Sequence, residues 1–425
     1  MPTDTSSSRP PSSSTPAVHP RPFLRMLRAV GRPLEQFFRI EAASGILLLV
    51  VAAVALAWAN SPWGGAYEAL WHSAITVEVG SVALSHPVEW IVNDCLMVIF
   101  FFVVGLEIRR EIHQGELSEW RRAALPAAAA LGGMIAPALL YLAIAGGVST
   151  RSGWAVPMAT DIAFAVGVLT VLGRRVPSAL RVLLLALAVI DDLGAILVIA
   201  LFYSKGVAPL GFLIAAGGIA AILAMQRLGV QTKALYVLPG VVVWAGVYSS
   251  GIHPTIAGVV LGLLTPIRAF RVDPAEPGAI SPAESLIATL HPWVAFGVMP
   301  IFALANAGVS VGGHGADPSA TTVLAAVVVA LVIGKPVGVL LACWAALKTR
   351  VAVLPTGLGP RHLVALGLVA GIGFTMSLFI AQLAFASPAL LASAKIGILS
   401  ASAIAAVASL VVGRMLLGRA EGASS

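Results

Sequence analysis

The stretch LLLALAVIDDLGAILVIALFYS, residues 183–204, decides how this chain is read, because two adjacent aspartates, Asp191 and Asp192, stand near the middle of an otherwise apolar helix. A helix needs roughly 20 apolar residues to cross about 30 Å of hydrocarbon, so this one is long enough to span a bilayer. An ionised side chain at the bilayer centre costs at least about 2.5 to 3.5 kcal/mol on insertion scales, and two in succession call for a reason. Neighbouring helical residues point about 100° apart, so the pair cannot both be accidents of a lipid-facing stripe and at least one must enter a polar cavity. Two close carboxylates in such a place cannot both ionise cheaply, which couples their titrations and lets the pair hold protons. Carboxylate oxygens are also the ligands that small hard cations prefer. Competition of protons and a cation for one site is the minimal machinery of an exchanger. The alternative is a structural polar pair neutralised by Lys335.

Composition points the same way. Of 425 residues 59% are hydrophobic and 11% charged, with mean hydropathy +0.96, whereas a soluble domain carries about 25% charged residues. One membrane domain is expected rather than two or three soluble ones. The net charge of +7 does not mark a nucleic-acid binder, since Lys and Arg are scattered singly or in pairs with no basic stripe. Cys95 and Cys343 both lie in apolar segments, which indicates neither a disulfide framework nor a zinc site. Phosphate-loop, HExxH and GxSxG motifs are absent, so the chain carries no signature of ATP-driven pumping or of these hydrolases, and no cofactor is expected.

Twelve spans are expected, at about 41–60, 88–107, 123–146, 152–172, 180–204, 208–226, 234–249, 252–267, 286–308, 320–347, 362–385 and 388–414. Residues 1–35 read as a tail, rich at its start in Ser, Thr and Pro and without the apolar core of a signal peptide; 36–416 form the membrane domain and 417–425 a second tail. With this count 22 of the 26 Lys and Arg fall on one side of the membrane, which predicts that both termini are cytoplasmic. Only Arg151 and Lys205 fall on the other side, while Lys335 and Lys395 lie within helices. The longest outer loop, 61–87, contains ITVEVGSVAL, an alternating run around Gly80 and Ser81 that predicts a β-hairpin. Its backbone cannot be satisfied in lipid, so it is expected on the outer surface, where its edge offers a route to a homodimer.

Other ionisable residues at membrane depth are Asp94, Asp161, Lys335 and Lys395. Asp161 follows Thr160 and lies four residues after Pro157; proline removes a backbone hydrogen bond and a Thr-Asp pair suits a new helix start, so helix four is expected to break here. Gly367, Gly371 and Gly373, ahead of Thr375 and Ser377, predict a second break in helix eleven. Interruptions at corresponding positions of two halves point to a transporter binding site. Lys335 needs an anionic partner, and Asp191 and Asp161 are the available carboxylates; its spacing does not separate an ion-pair partner from a proton carrier. Asp94, near the outer end of helix two, fits a solvated funnel or cap position as well as a catalytic role, Lys395 is expected to snorkel, and His253 and His291 read as packing residues that could titrate near neutrality.

In order and spacing, WIVNDCLMVIFFFVVGLEIRREI, GWAVPMATDIAFAVGVL, the Asp-Asp helix, GIHPTIAGVVLG, LHPWVAFGVMPIFALANAGVS, IGKPVGV and GIGFTMSLFIA resemble the NhaA-type sodium/proton antiporters over about residues 36–416. The resemblance implies an all-α integral membrane protein of the bacterial inner membrane, with twelve transmembrane helices in inverted-topology repeats and two discontinuous helices, four and eleven, crossing at mid-membrane. It implies that Asp161 compensates the positive helix ends there and Lys335 the negative ones, that Asp191 and Asp192 bind Na+ or Li+ and H+ with Thr160 beside them, that Lys335 pairs with Asp191, and that Asp94 lies on the periplasmic side. Cytoplasmic sodium or lithium would leave in electrogenic exchange for a larger number of protons, by alternating access. The implied pH response maps to Glu107, Arg110, Glu111 and His291. Here the chain departs from the pattern, with Ile287 and Ala288 where a Glu-His pair is expected, so Arg110 is left short of a partner and an altered activation profile is expected. An intramembrane aspartyl protease would need a GxGD context, which neither Asp161 nor Asp191 has; a sodium- or proton-coupled symporter for an organic solute remains the rival reading.

Overall fold

The structure, a computed structural model, describes residues 22–79, 82–204, 206, 208–267, 281–310 and 317–418. The Ser/Thr/Pro-rich start, the Gly80–Ser81 turn, Lys205, the segment holding Arg268 and Arg271, and the residues from Arg419 onwards lie outside these. The chain divides into Met1–Arg39 and Ile40–Ser425, and all packing below concerns the second unit.

The chain is mostly helical. Eight described helices are long and apolar enough to cross a membrane: Ile40–Ala59 within α1 (Pro22–Ala59), α3 (Val88–Gln114), α4 (Trp120–Ala145), α6 (Ser178–Phe202), α7 (Pro209–Arg227), α10 (Pro282–Ala307), α11 (Pro318–Lys348) and α14 (Pro388–Leu416). The short α2 (Gly64–His72) precedes the hairpin. Two shorter apolar helices are α8 (Lys233–Ser249) and α9 (Thr255–Leu264). Two further pairs are bent at a short break: the 3₁₀ helix Arg151–Met158 with α5 (Ile162–Leu172), at 41°, and α12 (Pro360–Ala370) with α13 (Phe374–Ala384), at 45°. The hairpin is present as β1 (Ala74–Val79) and β2 (Val82–Pro87), antiparallel from Ala74 opposite Pro87 to Val79 opposite Val82. Thr76 and Ser85 share a hydrogen bond of 3.1 Å across it.

Several boundaries differ by a few residues from the periodicity reading, and two of them have a local reason. α3 continues to Gln114, because LEIRREIHQ is built of good helix formers and needs no lipid to stay helical. α9 stops at Leu264, since Thr265 precedes Pro266 and is driven out of the helical region. Sequence period also missed three widened π-type turns, Ile91–Leu96 in α3, Val294–Val298 in α10 and Ala330–Gly334 in α11. The last runs into Lys335-Pro336, where the proline has no N–H for a regular turn.

Large apolar side chains such as Leu210, Leu213 and Leu238 point outward, while the interior is largely Ala, Gly, Val and Leu, as expected where small residues let helices meet closely. The tightest approach joins α4 to α11: a Cβ at Gly132 would lie 2.2 Å from the Gly338 carbonyl oxygen and one at Gly338 2.1 Å from that of Gly132. This backbone contact brings α11, and with it Lys335, against the centre of the molecule.

Candidate functional site

The two breaks meet. The backbone N–H of Asp161 donates to the Ile372 carbonyl at 2.8 Å, tying one interruption to the other. Asp161 is the N-cap of α5, its Oδ1 accepting from the Phe164 N–H at 2.9 Å. Its Oδ2 accepts from the Thr375 N–H at 3.1 Å and from the Thr375 hydroxyl. One buried carboxylate therefore sits at the positive N-terminal ends of α5 and α13 together, where anionic charge is favourable. The Phe374 N–H, also at the start of α13, donates to Ser402 of α14 at 3.1 Å.

The opposite helix ends face a cation and a hydroxyl. Lys335, fully buried, donates to the Met158 carbonyl that closes the 3₁₀ helix and to Asp191 Oδ2 at 2.8 Å. Thr160 Oγ1 lies 2.7 Å from the same Oδ2 and 3.1 Å from the Ala370 carbonyl at the end of α12; its single proton serves one of them at a time. Asp191 and Asp192 are 0% and 1% exposed, and the Oδ1 of each is buried without a hydrogen-bond donor among the described residues. The charges that act on Asp192 are those of Asp191, Glu107 and Asp161, opposed by Lys335. Among the described residues, Lys335 is the cation that contacts the pair, through Asp191.

The remaining expected residues fall into separate places. Glu107 lies 3.8 Å from His291, and His291 makes its shortest contact, 2.8 Å, with Glu41 of α1. All three side chains are about nine-tenths buried. His291 therefore packs against two carboxylates, and the contact becomes an ion pair when its imidazole is protonated. Arg110 acts on this cluster through its charge. Glu111 turns away to accept from the Glu116 N–H at 2.7 Å, a local capping contact. Ile287 is buried on Leu106 and Ala283, and Ala288 is exposed, so the positions that depart from the family pattern are filled by apolar packing and open surface. Glu41 was missed in the sequence reading; the available signal was a carboxylate at the very start of the first apolar run.

The Asp94 side chain, 17% exposed, lies 3.5 Å from His253. His253 contacts Thr255 at 2.9 Å and sets its ring edge-on to Phe379 at 5.4 Å. Lys395 does not snorkel: it is 8% exposed, because α14 packs along α11 and α13, and the opposite charge that acts on it is Glu89.

A family model described as Na+/H+ antiporter 1 matches residues 35–412. The chain is 59% identical to a Na+/H+ antiporter NhaA 2 of Myxococcus xanthus, covering 96% of this chain and 94% of that protein. It is 51% identical to a Na+/H+ antiporter NhaA 2 of Sorangium cellulosum, over 94% and 93% of the two chains, and 55% identical to a Na+/H+ antiporter NhaA of an Acidovorax species, over 91% and 93%.

Proposed function

The chain belongs to the Na+/H+ antiporter 1 family, and from that premise we propose that it exchanges cytoplasmic Na+ or Li+ for incoming protons at Asp191 and Asp192. The observation that carries this reading is the pair of buried carboxylates whose Oδ1 atoms lack a donor. An unpaired buried carboxylate oxygen is costly, and either a proton or a small cation supplies what it lacks. Protons and cargo then exclude one another at the same atoms. A monovalent cation that engages both carboxylates displaces the proton of Asp192 and the Lys335 ammonium from Asp191, and the second proton leaves Lys335 once it loses that partner, so two protons exchange for one cation and the exchange is electrogenic. Lys335 holds Asp191 when the cargo is absent and is released when cargo takes its place. Asp161 and the Lys335–Met158 contact keep the two breaks intact at mid-membrane by opposing the helix-end charges.

Counting each bent pair as one span and α8 and α9 as short spans gives the twelve transmembrane helices, with both termini cytoplasmic and the hairpin outside. Residues 36–416 are the transport domain in this reading, and the hairpin edge is the route to a homodimer. The Glu107, Arg110 and His291 region faces the cytoplasm and the Asp94 region the periplasm, so alternating access opens one region while the other is shut. Glu111 contributes to the pH response only through its charge near Glu107.

The test is fluorescence dequenching in respiring everted vesicles that lack other antiporters, with NaCl, LiCl or KCl added across a pH series. Wild type is expected to respond to sodium or lithium, and Asp192→Asn to abolish the response. A wild type that is inserted yet silent with every cation overturns the proposal, and a response altered by an organic solute favours the symporter instead.

A further inference from the structure

α13 carries Thr375, Phe379 and Gln382 at spacings of four and three, which places them on one face of the helix. Each meets a different layer. Thr375 binds Asp161 at the break. Phe379 packs on Phe101 of α3 and Phe302 of α10, with ring centroids 5.3 Å and 6.2 Å away. Gln382 Nε2 donates to Glu89 at 2.9 Å and to Asn306 Oδ1. Asn306, fully buried one helical turn beyond Phe302, donates to Asn93 Oδ1 at 2.9 Å and to the Phe302 carbonyl. Amides from α3, α10 and α13 are thus joined directly above aromatic rings from the same three helices. The chain of contacts runs on through Glu89, whose side chain is 24% exposed, to the exposed His72 at 4.0 Å.

We infer that Asn93, Asn306, Gln382 and Glu89 form a latch that closes one side of the Asp191/Asp192 site and must open in each transport cycle. The inference rests on the proposed exchange, and it assigns these residues a positioning role that none of the aspartates performs. α13 is a rigid strut of 11 residues, about 16 Å long, with the Asp161 contact at one end and the latch at the other. A displacement of the break when cargo binds cannot leave Gln382 in place, because backbone hydrogen bonds fix the distance between Thr375 and Gln382. The latch layer joins three helices through neutral amides, with Glu89 as its ionisable member, so opening it separates amide contacts rather than a buried ion pair. On the proposed topology this is the outer side.

Two measurements test it. In a background with Cys95 and Cys343 replaced by Ser, Asn93→Cys with Asn306→Cys is oxidised with copper phenanthroline. Cross-linked protein is expected to lose at least tenfold in sodium-evoked exchange and to regain it with dithiothreitol; undiminished exchange by fully cross-linked protein overturns the latch. Gln382→Leu keeps the volume and removes the donor. One such hydrogen bond to a charged group is worth about a factor of ten or more in an equilibrium, so the variant shifts the population towards the form open on the latch side. The KM for Na+ added from the cytoplasmic face is expected to rise about tenfold and that from the opposite face to fall. Equal changes on both faces, which a merely structural residue gives, also overturn it. Wild type without exchange in the same vesicles removes the transport reading itself.

Discussion

α3 carries a polar cluster at each end, and the two differ in kind. At Glu107 the contacts are between ionisable groups, Glu41, His291 and Glu107 itself. At Glu89 they run chiefly through neutral amides, Gln382, Asn306 and Asn93, with the exposed His72 at 4.0 Å from the carboxylate. An imidazole–carboxylate contact changes strength as the imidazole titrates, whereas an amide contact is the same from acid to alkaline pH. On the proposed reading one end of the helix responds to protons, while the amide–amide contacts at the other hold their strength as an imidazole titrates. The sites between them, Asp191 and Asp192, need both properties in turn.

The largest expected effect breaks the centre that both ends serve. Lys335→Met leaves Asp191 buried without its cation, a change worth about 3 to 5 kcal/mol when one partner of a buried pair is removed. A lower midpoint of heat denaturation in detergent and a loss of sodium-evoked exchange should follow; unchanged stability would mean that the 2.8 Å contact is not holding the two breaks.

Next comes the ionisable end. Protonated His291 ties α10 to Glu41 and Glu107, a contact present at acid pH and weakened as pH rises through the imidazole titration, so exchange should increase with pH over that range. Hydrogen bonds to charged groups are worth about 1.5 to 3 kcal/mol. His291→Gln keeps a donor but not the titration, and its rate profile between about pH 5 and 8 should be flatter than wild type. A profile of unchanged slope would place the pH response in the aspartates alone. Glu41→Gln is expected to act in the same direction.

The amide end supplies the contrast. The face-dependent KM shift of Gln382→Leu should vary less with pH than the effect of His291→Gln, and a shift that varied as much would erase the distinction between the two ends. The smallest effect concerns the departure from the family pattern. Ala288→His, at an exposed position, should leave the profile within the error of wild type, whereas Ile287→Glu buries a carboxylate on Leu106 and should cost about 1 to 3 kcal/mol. A pH profile sharpened by the two together would show that Glu41 is no substitute for the missing pair.

Much of the site was legible because charge in an apolar run is rare and conspicuous. Asp161, Lys335 and the Asp191–Asp192 pair stand out in otherwise uncharged apolar runs, and proline and glycine mark the two breaks. Glu41 and Glu89 were not legible, since a carboxylate at the end of an apolar run reads as ordinary interface. Asn93, Asn306 and Gln382 carry no charge to flag them, and nothing in their local sequence says that three different helices bring them together.

What the sequence determined by itself is what hydrophobicity and backbone chemistry decide locally: a chain of membrane spans, a hairpin outside the apolar runs, interruptions at Pro157–Asp161 and Gly371–Gly373, and a pair of aspartates too costly to be idle. What only the tertiary structure decided is partnership. That Asp161 caps two helices at once, that His291 chooses Glu41, that Lys395 stays buried and that Gln382 reaches Glu89 all depend on contacts between residues far apart in the chain. Such contacts are fixed by how the helices pack, and the 3.6-residue period of any one helix carries no record of its neighbours.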